Sequence, residues 1–103
     1  MRANKYRAVK TTIDGITFDS KREAARYWEL KWLQKAGVIS HLELQPEFDF
    51  KIGGKKLFTY RADFGYFENG KRVVEDVKGV RTPVYRLKKK IVEAAFHITI
   101  KET

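Results

Sequence analysis

The chain has no cysteine, which excludes a disulfide scaffold and a thiolate-bound zinc site and fits a reducing compartment. No apolar run is long enough to cross a bilayer, and the N-terminal stretch MRANKYRAVK lacks the apolar segment of a secretory signal. A soluble, cytoplasmic protein is expected. Histidine is scarce: His41 and His97 stand alone, so no imidazole metal cluster is expected, and no Ser-His-Asp grouping suggests a nucleophile. Gly53-Gly54 reads as a turn rather than a phosphate-cradling loop.

Acidic residues are also in deficit. Thirteen Asp and Glu face 22 Lys and Arg, leaving a formal charge of +9 and a pI near 9.9. On a small domain this surplus predicts salt-sensitive attraction to a polyanion, nucleic acid above all, through release of phosphate-bound counterions. The composition is otherwise that of a folded globule: 43% hydrophobic and 14% aromatic over 103 residues. This is enough for one core and too little for two domains, so residues 1–103 are expected to be a single domain with a basic, arm-like stretch at 1–12.

Ser20-x-x-Glu23 is a capping-box signal opening a helix from about Lys21 to Ala36, ended by Gly37. Its expected apolar stripe is Ala24, Ala25, Trp28, Trp32 and Ala36, with both tryptophans assigned to the core. Leu42 to Ile52 alternates apolar and polar residues as one half-buried strand, with Pro46 marking an edge or bulge. A second strand is expected over Lys56 to Glu68, then the two-residue turn Asn69-Gly70, then a third strand from Arg72 to Lys78. Thr82-Pro83 reads as the cap and first residue of a second helix with the stripe Val84, Leu87, Ile91 and Ala95. His97 to Lys101 should be a last strand. The order is αβββαβ, an α+β or mixed α/β domain.

The Asn69-Gly70 hairpin carries a geometric expectation. If Glu68 pairs with Lys71, continuing the register puts Asp63 opposite Asp76 and Arg61 opposite Lys78. Two carboxylates on one face repel by roughly 1–4 kcal/mol. Salt bridges to Arg61 and Lys78 on an exposed sheet would tolerate them. A divalent cation would explain them better, because hard carboxylate oxygens suit magnesium or manganese, and Val73, Val74 and Val77 make the third strand look buried. With Lys78 beside the acids, such a group suits phosphodiester hydrolysis.

Ala62-Asp63, twelve residues, and then Asp76-Val77-Lys78 resembles the PD-(D/E)XK nuclease signature, with Ala62 in place of the proline. The segments NKYRAVK, FDSKREAARY, LQP, ADF, VVEDVKGV and TPVYRLKKK resemble a family of small phage proteins assigned to that superfamily, across nearly the whole chain. The resemblance implies a restriction-endonuclease-like core, a central mixed four-stranded sheet flanked by helices. It also implies an endonuclease in phage DNA recombination or processing in the host cytoplasm, of Holliday junction resolvase type and dependent on Mg2+, for which Mn2+ would substitute.

By that resemblance Asp63 and Asp76 bind metal with the Val77 carbonyl, Lys78 positions or activates the water, and Glu23 is the helix glutamate of the site. Glu23 is equally the third residue of the Ser20 capping box, and Gln45 is a weaker candidate. Glu75 is expected to face away from Asp63. The basic run Lys78, Arg81, Arg86, Lys88, Lys89 and Lys90 contains no acid and should contact DNA, together with Lys5, Arg7 and Arg61. A solvated helix face would look the same. Tyr6 and Tyr85 are candidates for stacking on unpaired bases. Two symmetric nicks in a four-way junction call for a homodimer, with Phe48, Phe50, Phe58 and Phe67 considered for its apolar surface, although the core would use most of them. A less structure-selective nickase and a non-catalytic basic nucleic-acid-binding protein are the alternatives.

Overall fold

The computed structural model describes residues 9–77 and 81–103. Lys5, Arg7 and Lys78 lie outside the described residues, as does Tyr6.

The chain opens with a short hairpin, β1 (Thr11–Ile13) and β2 (Ile16–Phe18), and continues into helix α1 (Lys21–Lys35). Ser20 starts the helix by accepting the Glu23 N–H at 3.1 Å, the expected half of the capping box. Gly37 ends it in the left-handed region at φ 81°, where a side chain would be strained. The helix presents a different face to the core from the one expected. Glu23, Ala24, Tyr27 and Leu30 are buried, whereas Trp28 and Trp32 are 48% and 47% exposed. Tyr27 and Leu30 form a competing stripe at helical spacing, and the Tyr27 hydroxyl bonds Asp14 in the first hairpin at 3.0 Å.

Both long strands expected after α1 are broken, and at matching levels. The first divides into β3 (Ser40–Leu44) and β4 (Glu47–Ile52), the second into β5 (Lys55–Arg61) and β6 (Phe64–Glu68). Gln45 turns through the left-handed region at φ 53° and Pro46 cannot donate a ladder hydrogen bond. The Gln45 N–H reaches the Asp63 carbonyl and the Ala62 N–H reaches the Pro46 carbonyl, each at 3.0 Å. The two-stranded ribbon therefore bends as a unit. One half joins the central sheet, and the other forms the separate β4–β5 hairpin.

Strand β7 (Lys71–Asp76) follows the Asn69-Gly70 turn, whose φ values of 53° and 76° are those of the expected type I′ loop. Helix α2 (Pro83–Phe96) is capped by the Thr82 side chain, which accepts the Tyr85 N–H at 3.1 Å. It ends at His97 in the left-handed region. The last strand, β8 (Ile100–Glu102), starts later than expected and pairs parallel to β7.

The result is a mixed α+β fold with a four-stranded sheet in the order β3-β6-β7-β8, antiparallel except for the last pair. A core lies on each face. One gathers α1 with Phe18, Ile39, Phe64 and Tyr66, and the other gathers Val92 of α2 with Phe48, Tyr60, Val74 and Ile100. Strand β7 alternates between them, with Val73 and Val77 facing the first and Val74 the second. The expected stripe of α2 is mostly outside: Val84 and Leu87 are 60% and 58% exposed, and Val92 is the fully buried residue. Phe48 is core, Phe50 and Phe58 are half-buried, and Phe67 is exposed. No helix among the described residues is long and apolar enough to cross a membrane.

Candidate active site

The acidic residues singled out in the sequence meet where β6 begins and β7 ends. The β6–β7 register runs from Glu68↔Lys71 to Phe64↔Glu75 and stops there. The Asp63 N–H bonds the Glu75 carbonyl at 3.0 Å, so Asp63 and Phe64 both oppose Glu75, the two-against-one arrangement of a β-bulge. The expected direct pairing of Asp63 with Asp76 is therefore not formed. Arg61, expected opposite Lys78, instead ends β5 and pairs with Glu47 of β4. The physical cause is the ribbon break at Ala62-Asp63, which re-aims the Asp63 side chain.

Asp63 points to two partners. Its Oδ2 accepts the Val77 N–H at 2.7 Å, and its carboxylate is hydrogen-bonded to Glu23 in the first turn of α1. Glu23 is buried, with 8% exposed. Burial, followed by the Asp63 charge, pushes its carboxyl up from an ordinary 4.5 to about 7. Glu23 therefore keeps its proton to higher pH than an exposed glutamate does, as expected of a buried carboxyl beside a second carboxylate. Ser20 caps the Glu23 backbone N–H while the Glu23 side chain turns to Asp63 at the bulge, so capping leaves the carboxyl available to the acid pair.

Asp76 is almost fully buried and lies on the other face of the sheet, where the Tyr60 hydroxyl donates to its Oδ2. The Tyr85 ring stacks near Tyr60 at 6.3 Å, and its hydroxyl donates to Glu102 at 2.8 Å. Burial and then Glu102 and Asp76 hold the Tyr85 hydroxyl well above its usual range. Tyr85, considered as a base-stacking residue, is in this way committed to the α2–β8 contact.

Glu75, expected to face away from Asp63, instead lies on the α1 side of the sheet, the side on which Asp63 meets Glu23, because the bulge turns Asp63 to that face. It is fully buried and gripped by both ends of the Arg26 guanidinium, at 2.8 and 2.6 Å, and by the Tyr66 hydroxyl. Burial alone would raise its carboxyl, but Arg26 and Tyr66 hold it below the ordinary range. Arg26, Tyr60 and Tyr66 were not legible as site residues, since only folding brings them to the acids. Gln45 sits at the ribbon break, with its side chain exposed.

Among the described residues no group of three or more His, Asp or Glu is arranged to hold a metal ion. The donor set still fits a hard divalent cation in kind, because two neighbouring carboxyls, one of them buried and disfavoured as an anion, gain from a cation beside them.

The basic residues of α2 are less uniform than their sequence suggests. Arg81 and Lys89 bond Glu102 at 2.7 and 3.5 Å, and Lys88 lies 5.2 Å over the Phe58 ring. Arg86 and Lys90 are exposed, and with Arg81, Leu87 and Lys89 they line an open groove of about 560 Å3.

No curated protein and no solved structure matches the chain. The chain belongs to the family described as "Protein of unknown function (DUF1064)", whose model matches residues 3–102.

Proposed function

We propose that the chain is a metal-dependent DNA endonuclease of the PD-(D/E)XK kind, acting on branched DNA as a Holliday junction resolvase does. The observation that carries this reading is the pairing of buried Glu23 with half-buried Asp63, set at a β-bulge beside Asp76-Val77-Lys78. Like-charged groups so placed cost stability, and cation binding gives them a use. The helix, three strands, helix, strand order of α1, β3, β6, β7, α2 and β8 also suits that superfamily's core.

In this reading Glu23, Asp63 and the Val77 carbonyl would hold Mg2+, for which Mn2+ would substitute, and Asp76 would join them by turning from Tyr60 across the end of β7. The cation, when bound, offsets the charge that develops on a phosphate under attack. Asp63 is oriented by the Val77 N–H. Lys78 positions the attacking water. Arg86 and Lys90 contact phosphates along α2, and Lys5 and Arg7 extend that contact as an arm. A homodimer presents two sites to the two-fold junction.

The test is incubation with four-way, flap, linear duplex and single-stranded DNA, with Mg2+ or Mn2+ present. Cleavage is expected for the wild type and is expected to be lost in Asp63→Asn, Asp76→Asn and Lys78→Ala variants that still fold. Cleavage by Asp76→Asn at the wild-type rate would overturn the assignment. Salt-sensitive DNA binding with no cleavage under any condition would leave a non-catalytic nucleic-acid-binding protein.

A further inference from the structure

Trp28 and Trp32 are the only tryptophans in the chain, and both are spent on the outer face of α1. An indole can bury about 150–250 Å2, so leaving two of them half in water forfeits a large part of what they could add to a small core. They form a unit, one turn apart, with ring centroids 5.8 Å apart and planes at 73°. A cation attends each ring: Lys31 Nζ lies 5.6 Å from Trp28, and Lys35 Nζ lies 5.6 Å from Trp32. Aromatic faces interleaved with cations are what unpaired nucleotides require, the bases stacking and the phosphates meeting the amines.

The outer face of α1 borders a groove that leads towards the acid site. This groove of about 240 Å3 is lined by Arg22, Ala25, Arg26, Glu29, Val77 and Thr103. Ala25 and Glu29 share the outer face of α1 with the tryptophans, while Val77 adjoins Asp63. Trp28 and Trp32 lie on the side of the helix away from buried Glu23, so a strand reaching both would pass round α1 through this groove.

A second copy of the chain would fit this face less well. It would oppose Lys21, Arg22, Lys31 and Lys35 with the same cations. The acids beside that face are already paired, Glu29 with Arg26 at 3.0 Å and Asp14 with Lys31 at 2.7 Å, which leaves Lys35 as the cation at the rings with no acid partner among the described residues. A polyanion neutralises these charges instead.

We infer that Trp28 and Trp32, with Lys31 and Lys35, form a stacking platform for unpaired nucleotides of a DNA strand that continues past the acid site. The inference rests on the proposed nuclease reading for the identity of the polyanion as DNA, and it makes single-stranded tails or junction arms part of the substrate.

Because the chain has no other tryptophan, its emission on red-edge excitation, where the five tyrosines do not absorb, reports on this platform alone. In EDTA, titration with oligo(dT) is expected to quench that emission saturably, while a blunt duplex with the same number of phosphates leaves it nearly unchanged. The Trp28→Ala/Trp32→Ala variant should bind oligo(dT) about tenfold or more weakly. Trp28→Phe/Trp32→Phe, which keeps aromatic faces and shows by circular dichroism that the fold is intact, should retain most of the affinity. Oligo(dT) binding seen by anisotropy without any change in wild-type emission would overturn the platform. So would unchanged affinity in the alanine variant, including the case where that variant instead loses self-association. None of these readouts needs metal or cleavage. Quenching without any nuclease activity would refute the nuclease reading alone, and cleavage without quenching would refute the platform alone.

Discussion

Glu23→Gln tests the acid pair without relying on catalysis. In the folded chain the Glu23 carboxyl is raised from 4.5 to about 7, by burial first and by Asp63 second. The folded state therefore holds a proton that the unfolded state has released between those pH values. Stability from this group is fully present below about pH 4.5 and is lost as pH rises towards 7 and beyond. The difference corresponds to about 3 kcal/mol at most. A carboxylate in the first turn of α1 recovers about 0.3–1 kcal/mol from the helix dipole, which leaves roughly 2 kcal/mol of net loss.

The glutamine side chain cannot ionise and can still donate to Asp63, and the backbone N–H that Ser20 caps is untouched. In EDTA, thermal melts of the two proteins should nearly coincide at pH 5. At pH 8 the variant should melt higher by several degrees, up to about 10 °C for a chain of this size. Added Mn2+ should then raise the wild-type melting temperature more than that of the variant, since binding to the native state stabilises it. Parallel melting curves from pH 5 to 8 would refute the raised Glu23 carboxyl, and with it the reason for placing a cation at this position.

Arg26→Ala should leave the Glu75 carboxylate buried without its guanidinium and destabilise the fold by about 3–5 kcal/mol, measured by urea denaturation. In the wild type, the depressed Glu75 carboxyl contributes stability above the ordinary carboxyl range that is lost as pH falls below it. Acid titration of the melting temperature should show that loss weakened in Glu75→Gln. Tyr60→Phe removes the hydroxyl donor to the buried Asp76 carboxylate and should cost about 1–3 kcal/mol in the same denaturation assay. Arg86→Ala should flatten the slope of log affinity for DNA against log salt more than Lys88→Ala does, because Lys88 is held over Phe58. Equal slopes for the two variants would mean that position in space does not sort these cations.

Local chemistry alone determined a good part of this protein. Ser20, Thr82-Pro83 and Asn69-Gly70 act through their own side chains or backbone preferences, so both helix starts and the β6–β7 turn were readable without knowledge of the rest. The mixed α+β class followed from them, whereas the β1–β2 hairpin ahead of α1 and the division of two expected strands into four did not. Which face of each helix turns inward was not readable, because two apolar stripes compete on α1 and again on α2. The choice depends on what the rest of the chain offers to pack against, such as Asp14 for Tyr27 and the β4–β5 hairpin core for Val92.

Tertiary structure also decided the site. The ribbon break at Gln45-Pro46 and Ala62-Asp63 needs hydrogen bonds between segments about seventeen residues apart, which no local pattern displays. That break turns Asp63 from Asp76 towards Glu23. It also leaves Asp76 to Tyr60, and Glu75 to Arg26 and Tyr66. The basic run of α2, free of acids along the chain, meets Glu102 in space because the parallel β7–β8 pairing carries that residue back beside Arg81 and Lys89. Charge counted along a sequence sets the long-range attraction to a polyanion, while the partner each charge meets is decided only when the strands have paired.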